Sequence, residues 1–430
     1  MRNINDEINV GIIGLGYVGL TLGVALALRG IKVFGVDINE KVIMALNSGK
    51  AHFVEEGIDE HLSKVLNKKF FLVDNLPEET LDAVLITVGT PINEDKELNF
   101  QNIVDALNQI PKINNKDFLV GLRSTVAVGT STNIILPELN KRQIECELIF
   151  CPERTIEGDA INELFTLPQI IGGTSSKGVD LGAEIFSKLT EKIIKVSTIE
   201  AAELVKLFNN TYRDINFALG NYFNLVAQSF GVDGYEVINA SNKDYKRGGI
   251  PMPGFVGGPC LEKDPYILAS DNFRQSNIAN LLEHNFTILG RSFNECLPKT
   301  VVDYLVNKSE KKKVLVSGLA FKGRPATSDM RGSTSVEIIN LLLENGFELG
   351  LHDFETSDEE IRYFYNDLKI ENDFSSNEYE TLLVCNNHKN YSLLGTSELE
   401  NFSLIFDSWK SINPNLTIKS KIINLGTMYL

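Results

Sequence analysis

Short apolar runs alternate with helix-like stretches along the first third of this 430-residue chain. The runs have the length of buried strands, and the segments between them carry apolar residues at helical spacing. Strands that alternate with helices predict a doubly wound parallel sheet, with helices on both faces. The predicted strands lie within residues 9–14, 32–38, 83–89, 117–124 and 145–151.

The centre of the chain has a different pattern. From Thr198 to Gly231 there is no proline, and apolar residues recur at steps of three and four. This periodicity predicts one amphipathic helix that is longer than a typical globular helix. A loop at residues 243–265 follows it, and a second helical stretch is expected from there to about Cys296.

Strand-like alternation resumes after Pro298, with a predicted helix at residues 335–346. The predicted strands of this part lie within residues 312–321, 347–354, 380–387, 403–410 and 421–426. We therefore expect an α/β protein in which two Rossmann-like, doubly wound domains are joined by a long central helix and a helical middle domain. The expected domains cover residues 1–198, 199–297 and 298–430.

The segment from Ile8 to Leu28 has no charged residue and is long enough to imitate a membrane span. It is interrupted by five glycines, and acidic residues precede it where a signal peptide has a basic region. A buried strand, a tight turn and a helix explain the glycines, which a membrane span does not. We therefore expect no membrane partner.

Charge and cysteine content narrow the classes of function. The formal net charge of −16 argues against a nucleic-acid surface, because a phosphate backbone is bound by clustered lysine and arginine. The five cysteines show no CxxC pair or regular spacing, which favours reduced thiols in the cytoplasm over a disulfide framework. The five histidines form no HxxxH or HExxH pattern, so no metal site is expected.

A glycine motif follows the first predicted strand and opens a helix. Gly14 permits a tight turn, Gly16 lets a pyrophosphate approach the backbone, and Gly19 lets the helix pack closely on the strand. Asp37 ends the second strand, where a carboxylate binds the ribose hydroxyls of NAD and repels the 2′-phosphate of NADP. The sequence therefore predicts an NAD site, the alternative being glycines that only shape a turn. Thr90 and Thr125 end later strands at the same edge of the sheet, where such folds place ligands, the alternative being that each segment is simply a loop.

Two further segments carry candidate chemistry. Lys206 and Asn210 lie one turn apart on the long helix, with Arg213 and Asp214 one turn further, so that they share a polar stripe or simply a solvated face. Cys260 lies in the glycine-rich loop GGPC, and a helix that starts after this loop favours its thiolate. The alternative is that this cysteine is a small buried hydrophobe.

Seven ordered segments match one family of enzymes. These are Gly14–Gly19, Ser124–Val126, Cys151–Arg154, Glu157–Gly158, Leu204–Asn210, Gly257–Asp264 and Gly318–Lys322. On these segments the chain resembles the UDP-glucose/GDP-mannose dehydrogenase family over essentially its whole length. The resemblance implies an NAD domain at the N-terminus, a UDP-sugar domain at the C-terminus and a homodimer built on the central helices.

The resemblance also assigns residues to roles. Cys260 is implied as the nucleophile, with Lys206, Asn210 and Asp264 around the reacting carbon and Thr125 helping to hold water. The implied cofactor-binding residues are Gly14, Gly16, Tyr17, Val18, Gly19, Asp37, Thr90 and Thr125. The implied substrate-binding residues are Glu153, Arg154, Glu157, Lys206, Asn210, Arg213, Arg247, Phe255, Gly257 and Lys322, of which Arg247 reaches the substrate of a neighbouring subunit.

These residue types suit a four-electron oxidation of a primary alcohol to a carboxylate. Lys206 and Asn210 stabilise negative charge on the reacting oxygen during hydride transfer. Cys260 adds to the aldehyde, and the adduct loses a second hydride to become a thioester. Either Glu153, or Asp264 acting through water, is the base for hydrolysis.

The chain departs from the family pattern at two places. Ala127 replaces the usual proline after Ser-Thr-Val, which we expect to loosen a turn. Residues 407–410 read Asp-Ser-Trp-Lys where many members have Asp-Gly-Arg, whose arginine contacts the cofactor.

The favoured substrate by resemblance is UDP-N-acetylmannosamine or UDP-N-acetylglucosamine, oxidised for surface polysaccharide precursors, with UDP-glucose as the alternative. Two other functions compete. The helix motif of Lys206, Asn209 and Asn210 also resembles β-hydroxyacid dehydrogenases, which oxidise once without a thiol. A regulator that only binds nucleotide sugars has no use for a positioned nucleophile such as Cys260.

Overall fold

The structure is a computed structural model, and it describes residues 7–78, 81–93, 96, 98–113, 117–270 and 285–430. By its internal contacts the chain divides into two compact units. The first unit is Met1–Asn209 with Tyr266–Glu283, and the second unit is Asn210–Pro265 with His284–Leu430. The three functional domains expected from the sequence remain a prediction beside this division.

The first unit is built on an eight-stranded sheet with the order β3-β2-β1-β4-β5-β6-β7-β8. Its neighbouring strands pair in parallel, apart from the antiparallel pair β6 and β7. The strands are β1 (Asn9–Ile13), β2 (Lys32–Val36), β3 (Phe70–Leu72), β4 (Ala83–Ile86), β5 (Leu119–Leu122), β6 (Glu147–Phe150), β7 (Gln169–Gly173) and β8 (Ile193–Lys195). All five predicted strands of this region are confirmed, whereas β3, β7 and β8 were not anticipated.

Seven α-helices belong to the described residues of this unit before the long central helix, together with a π-helical turn at Ser131–Ile135. They are α1 (Tyr17–Leu28), α2 (Glu40–Asn47), α3 (Ile58–Val65), α4 (Gln101–Asn108), α5 (Leu136–Lys141), α6 (Ala160–Thr166) and α7 (Ser176–Phe186).

The uncharged segment at residues 8–28 forms β1, a glycine turn and α1, as predicted. Helix α1 is buried continuously from Gly19 to Ala27, which explains why it is apolar on every side. Gly23 allows the helix to lie against Phe70, whose ring atom would be 2.5 Å from an added Cβ. Among the described residues, no helix combines the length and the hydropathy needed to cross a bilayer.

The predicted central helix is confirmed as α8 (Ile199–Ser229), which has 31 residues. It is followed by α9 (Gly234–Asn242), α10 (Asp264–Ala269) and α11 (Phe286–Lys308). Pro298 lies inside α11 and does not end it. Residues 271–284 of the second predicted helical stretch lie outside the described residues.

The second unit contains a six-stranded, wholly parallel sheet with the order β11-β10-β9-β12-β13-β14. The strands are β9 (Lys313–Ser317), β10 (Glu348–His352), β11 (Lys369–Ile370), β12 (Thr381–Val384), β13 (Leu404–Asp407) and β14 (Lys421–Ile423). The helices after β9 are α12 (Thr334–Glu344), α13 (Asp358–Phe364) and α14 (Thr396–Leu399), with a 3₁₀ turn at Lys389–Leu393. All five predicted strands and the predicted helix are confirmed, whereas the short edge strand β11, the helices α13 and α14 and the 3₁₀ turn were not anticipated.

Candidate active site

The glycine turn of the first unit has the geometry that a dinucleotide requires. Gly14 has a φ of +90° and donates its N–H to the carbonyl of Val36 at 2.9 Å. A Cβ on Gly19 would lie 1.9 Å from the Gly14 oxygen, so only glycine fits there. A Cβ on Gly16 would meet nothing within 4 Å, and no side chain caps α1 at this residue. The first N–H groups of α1 therefore remain open to a pyrophosphate, which is the fit that NAD needs.

Asp37 follows β2 and supports this turn. Its carboxylate accepts hydrogen bonds from the N–H of Leu15 at 2.6 Å and from that of Asn39 at 2.8 Å. Asp37 therefore has a structural role, and the predicted ribose role is compatible with it because each carboxylate oxygen has a further lone pair.

Tyr17 and the adjacent, half-buried Val18 begin α1, and Tyr17 is tied to a residue that the sequence did not single out. Its hydroxyl donates to the buried carboxylate of Glu55, which also accepts the N–H groups of Gly158 at 2.7 Å and Ala160 at 2.6 Å. Burial and the hydrogen bond to Glu55 raise the pKa of Tyr17 far above its ordinary value. The side chain of Glu55 thus links the glycine turn to the segment that contains Glu157.

The loops after β4 and β5 are held together by hydroxyl groups. Thr90 donates to the carbonyl of Thr125 at 2.6 Å, and Ser124 donates to that of Val88, also at 2.6 Å. Thr90 is buried and Thr125 is half-buried. The two threonines predicted for the cofactor site are therefore neighbours at the carboxyl edge of the sheet.

Glu153 is held as a buried carboxylate by Arg123, a residue that no sequence motif indicated. Arg123 is 2% exposed; it forms an ion pair with Glu153 and donates to the Cys151 sulfur at 3.1 Å. The N–H groups of Arg154 and Thr155 both donate to the second oxygen of Glu153 at 2.7 Å.

The environment of Glu153 favours its charged form. Burial alone raises the pKa of Glu153, but the charge and hydrogen bond of Arg123, the N–H of Thr155 and the charge of Lys206 outweigh it. The pKa therefore lies below its usual value, so Glu153 is ionised at neutral pH. Arg154 itself donates to the carbonyl of Pro168 at 2.6 Å.

The polar positions of α8 are not a solvated face. Lys206, Asn210 and Asp214 are buried, at 9%, 6% and 0% exposure, and they follow one another at four-residue steps. Arg213 is exposed, so the stripe predicted to include it consists of the other three residues. A buried polar stripe of this kind requires partners that satisfy it.

Asp264 and Asn210 meet in the second unit. The Asn210 amide donates to one oxygen of the fully buried Asp264 at 2.6 Å, and Lys263 donates to the other at 3.0 Å. The carbonyl of Cys260 accepts the N–H of Asp264 at 3.0 Å, and the thiol-bearing residue itself is exposed. The structure thus brings together three of the predicted catalytic residues, Asn210, Cys260 and Asp264, at the start of α10.

The backbone around Cys260 is packed so closely that it needs glycine. The N–H of Gly258 donates to the carbonyl of Gly332 at 2.7 Å, and a Cβ on Gly257 would lie 2.4 Å from the same oxygen. Phe255, predicted to bind substrate, is 5% exposed. Its side chain belongs to the hydrophobic core of the second unit.

The other predicted substrate residues lie in different surroundings. Arg247 is exposed and stacks on Tyr245, with its guanidinium carbon 5.0 Å from the ring centre. Lys322 is half-buried, and its ammonium lies 5.4 Å from the ring centre of Phe321. These ring contacts do not test the substrate-binding roles predicted for the two residues.

The departure from the family pattern at residues 407–410 has a packing explanation. The Trp409 ring covers Gly254, where an added Cβ would be 2.4 Å from ring atoms, and its N–H donates to the carbonyl of Cys385 at 3.1 Å. Lys410 has a φ of +54°, and its ammonium lies 3.6 Å from the carboxylate of Asp233. Ala127, which replaces the usual proline of the family, is 2% exposed.

The comparisons with known proteins agree with this geometry along most of the chain. The UDP-glucose/GDP-mannose dehydrogenase family matches through its NAD binding domain at residues 8–190, its central domain at 200–287 and its UDP binding domain at 315–414. The chain belongs to this family. It is an NAD-dependent dehydrogenase, as predicted, and the cofactor and the enzyme class are confirmed.

Similar proteins with names are dehydrogenases of UDP-N-acetylmannosamine. The UDP-N-acetyl-D-mannosamine dehydrogenase of Pyrococcus horikoshii is 31% identical, over 80% of this chain and 83% of that protein. The one from Campylobacter jejuni is 32% identical, over 80% and 86%. The solved UDP-N-acetyl-mannosamine dehydrogenase of Staphylococcus aureus superimposes with a TM-score of 0.84 at 26% identity, over 98% of this chain and 99% of that one.

Proposed function

We propose that this enzyme oxidises UDP-N-acetylmannosamine twice at C6 to the uronate, with Cys260 carrying the intermediate covalently. The observation that supports it best is the cluster of Asn210, Cys260 and Asp264 in a chain whose relatives are named for that sugar. UDP-N-acetylglucosamine and UDP-glucose are the alternative substrates. A part in surface polysaccharide synthesis and a cytoplasmic location belong to the same proposal.

The glycine turn, Tyr17, Val18, Asp37, Thr90 and Thr125 would hold NAD, which accepts a hydride when bound. Lys206 and Asn210 lie one turn apart on the buried stripe of α8 and carry a positive charge and an amide N–H. We propose that they stabilise the negative charge that develops on the sugar oxygen as each hydride leaves.

Cys260 carries the second half of the proposed reaction. Its sulfur bonds to the aldehyde carbon, and the resulting oxyanion takes up a proton to give a thiohemiacetal. The hydroxyl proton then passes to a base and a hydride from the former aldehyde carbon passes to a second NAD, which leaves a thioester. Water then adds to the thioester carbon, the carbon–sulfur bond breaks, and the carboxylate and the free thiol are released. The proton of the water passes to a base.

Two carboxylates remain candidates for this base. Glu153 is ionised and fixed by Arg123 and two backbone N–H groups, which suits the orientation of a water molecule. Asp264 is fixed by Asn210 and Lys263 next to the thiol-bearing residue. The substrate-binding roles of Arg154, Glu157, Arg213, Phe255, Gly257 and Lys322 remain part of the proposal.

We also propose a homodimer through α8. Large apolar side chains of this helix are exposed, among them Tyr212 at 70% and Phe230 at 81%. Phe230 also lines a groove of about 380 Å³ in the second unit, together with residues such as Phe223 and Val237. Large apolar side chains exposed next to one another are typical of protein interfaces. Arg247 of one subunit would then reach the substrate of its partner.

Light scattering at the concentration used for the assay tests the dimer. We expect twice the chain mass of 47.8 kDa. A Phe230→Glu variant should place a charge in the contact and reduce the mass and the activity together. A fully active monomer of the natural sequence would refute the proposal.

A panel of nucleotide sugars tests the substrate. UDP-N-acetylmannosamine should give the highest kcat/KM and two NADH per sugar consumed, measured by absorbance and by chromatography of the uronate. Equal or better turnover of UDP-glucose or UDP-N-acetylglucosamine would move the assignment to that sugar. One NADH per substrate would instead favour the β-hydroxyacid reaction, and binding without any NADH would favour a regulator.

A further inference from the structure

One buried guanidinium holds both ends of the loop that carries Cys260. Arg291 lies on α11 and is 2% exposed. Its NH2 group donates to the carbonyl of Val256 and its NH1 group to that of Leu261, both at 3.2 Å. These two carbonyls bracket residues 257–260, so the contacts lie on either side of the thiol-bearing residue.

The same guanidinium is anchored to the central helix. Its NH1 group forms an ion pair with the fully buried carboxylate of Asp214 at 2.7 Å. Asn294, one turn along α11, donates to the same oxygen and to the main-chain carbonyl of Asp214, both at 3.0 Å. Asp214 therefore fixes Arg291 relative to α8, and Arg291 fixes the loop.

The loop needs such a tether because of its composition. Gly257 and Gly258 give the backbone more freedom than other residues, so holding one conformation costs more entropy. Gly258 adopts a φ of +97°, and an added Cβ there would lie 2.5 Å from a ring atom of Phe321. The planar fork of an arginine can bind two carbonyls at fixed directions, whereas a lysine acts as a point charge.

We propose that Arg291 is a positioning residue for Cys260, setting the loop 256–261 in the conformation that the covalent step requires. The proposal rests on the proposed function, because it assigns the loop a catalytic geometry. A buried ion pair that only stabilises the second unit is the competing explanation. Such a pair would need Asp214 alone, but Arg291 also binds the two loop carbonyls.

Arg291→Lys is the first test, because it keeps a charge for Asp214 and loses the fork. Hydrogen exchange followed by mass spectrometry should show amides of residues 255–262 exchanging about tenfold faster, since a hydrogen bond to a charged group is lost. With UDP-N-acetylmannosamine and NAD, kcat should fall roughly 100-fold, the effect of a misplacement of about 1 Å. The Kd for UDP should change by less than about threefold.

Glu295→Gln is the matched control. Glu295 lies 3.5 Å from the Nε of the same guanidinium and has a 35% exposed side chain. This variant changes the surroundings of Arg291 without removing its bonds to the loop, so exchange and kcat should match the wild type.

The double variant Asp214→Asn/Arg291→Gln covers the case in which Arg291→Lys does not fold, because it leaves no unpaired buried charge. Wild-type exchange at residues 255–262 with wild-type kcat, in either folded variant, would overturn the proposal. Faster exchange across the whole second unit with loss of UDP binding would also overturn it, in favour of a stabilising role.

The exchange measurement does not depend on the reaction. If the wild type made one NADH per sugar, the proposed function would fail while the loop result stood. If the wild type made two and Arg291→Lys left the loop and kcat unchanged, only the positioning role would fail.

Discussion

The first strand of each sheet, β1 or β9, is followed by the same kind of turn, but the two turns are used differently. Gly14 and Gly318 have φ angles of +90° and +88°, and each donates to the last carbonyl of the neighbouring strand, that of Val36 and of His352 respectively. Leu15 and Leu319 then donate to an aspartate that follows that strand, each at 2.6 Å. This repeated arrangement shows that the aspartate is first of all a part of the fold.

The difference lies in the next residue and in the path of the chain. In the first unit Gly16 is open and α1 begins at Tyr17, which leaves helix N–H groups exposed. In the second unit Ala320 takes that position and donates to Asp353 at 3.1 Å. The next helix there, α12, starts only at Thr334. An open glycine and an immediate helix, and not the aspartate alone, therefore distinguish the dinucleotide turn.

The largest expected effect is on the thiol chemistry of the second unit, while the cofactor turn of the first unit should keep its function. Cys260→Ala should lower the overall rate by about 10⁴-fold or more, because the thioester can no longer form. The first oxidation does not need the sulfur, so some hydride transfer to NAD, or from NADH to an added aldehyde, should remain.

Rapid kinetics of NADH formation and chromatography of the uronate measure this prediction. Cys296→Ala is the control, since Cys296 is the other exposed thiol among the described residues. Uronate formation near the wild-type rate by folded Cys260→Ala would rule out covalent catalysis at this residue.

The second prediction compares the two turns directly. Gly16→Ala should fold normally, because a Cβ meets nothing within 4 Å. It should weaken NAD binding roughly 100-fold, since a pyrophosphate that approaches the backbone is displaced by about 1 Å. Ala320→Gly is the matched substitution in the second turn and should leave NAD affinity unchanged. Titration of NADH fluorescence measures both, and equal effects at the two positions would break the comparison.

The third prediction concerns His352, which ends β10 in the second sheet as Val36 ends β2 in the first sheet. Burial lowers the pKa of His352 to about 4, with His388 adding to the effect and Asp353 and Asp373 opposing it. The buried ring stays neutral, so its stabilising contribution is complete above pH 6.5, the unfolded value, and is lost as the pH falls towards 4.

At pH 5 this proton linkage amounts to about 2 kcal/mol of unfolding free energy. His352→Gln removes the titrating group. Between pH 7.5 and 5 the unfolding free energy of the variant should therefore fall by about 2 kcal/mol less than that of the wild type. Urea unfolding followed by circular dichroism measures the difference. Parallel pH profiles of the two proteins would contradict the assignment.

Local pattern was sufficient for much of the fold. The glycine turn, α8 and ten of the strands were predictable, because their periodicity or spacing is contained in the segment itself, although the five-residue strand β7 was missed. The edge strands β3 and β11 have three and two residues, and their pairing depends on the neighbouring strand. Runs this short carry no period, so the sequence alone gives no basis for assigning them.

The supporting residues of the site could not be predicted for a related reason. Glu153, 30 positions from Arg123, and Asp214, 77 positions from Arg291, pair only once the chain has folded. Glu55 and the N–H of Gly158 are 103 positions apart. The residues that were missed, Glu55, Arg123 and Arg291, are single charged residues without a motif. The reacting groups were found because they stand in recognisable segments, whereas the residues that orient them do not.

The smallest expected effect concerns the aspartate that both turns share. Asp37→Asn removes the charge that repels a 2′-phosphate and weakens the acceptor for Leu15, so the preference for NAD over NADP should narrow by about tenfold. Asp353→Asn makes the same change in the second turn, where it should lower stability by about 1 kcal/mol and leave the cofactor preference unchanged. Ratios of kcat/KM for the two cofactors, with thermal unfolding of each variant, measure the two parts separately. Comparable efficiency of the wild type with NADP would contradict the role of Asp37 in selectivity, while its bond to Leu15 would still account for its place in the turn.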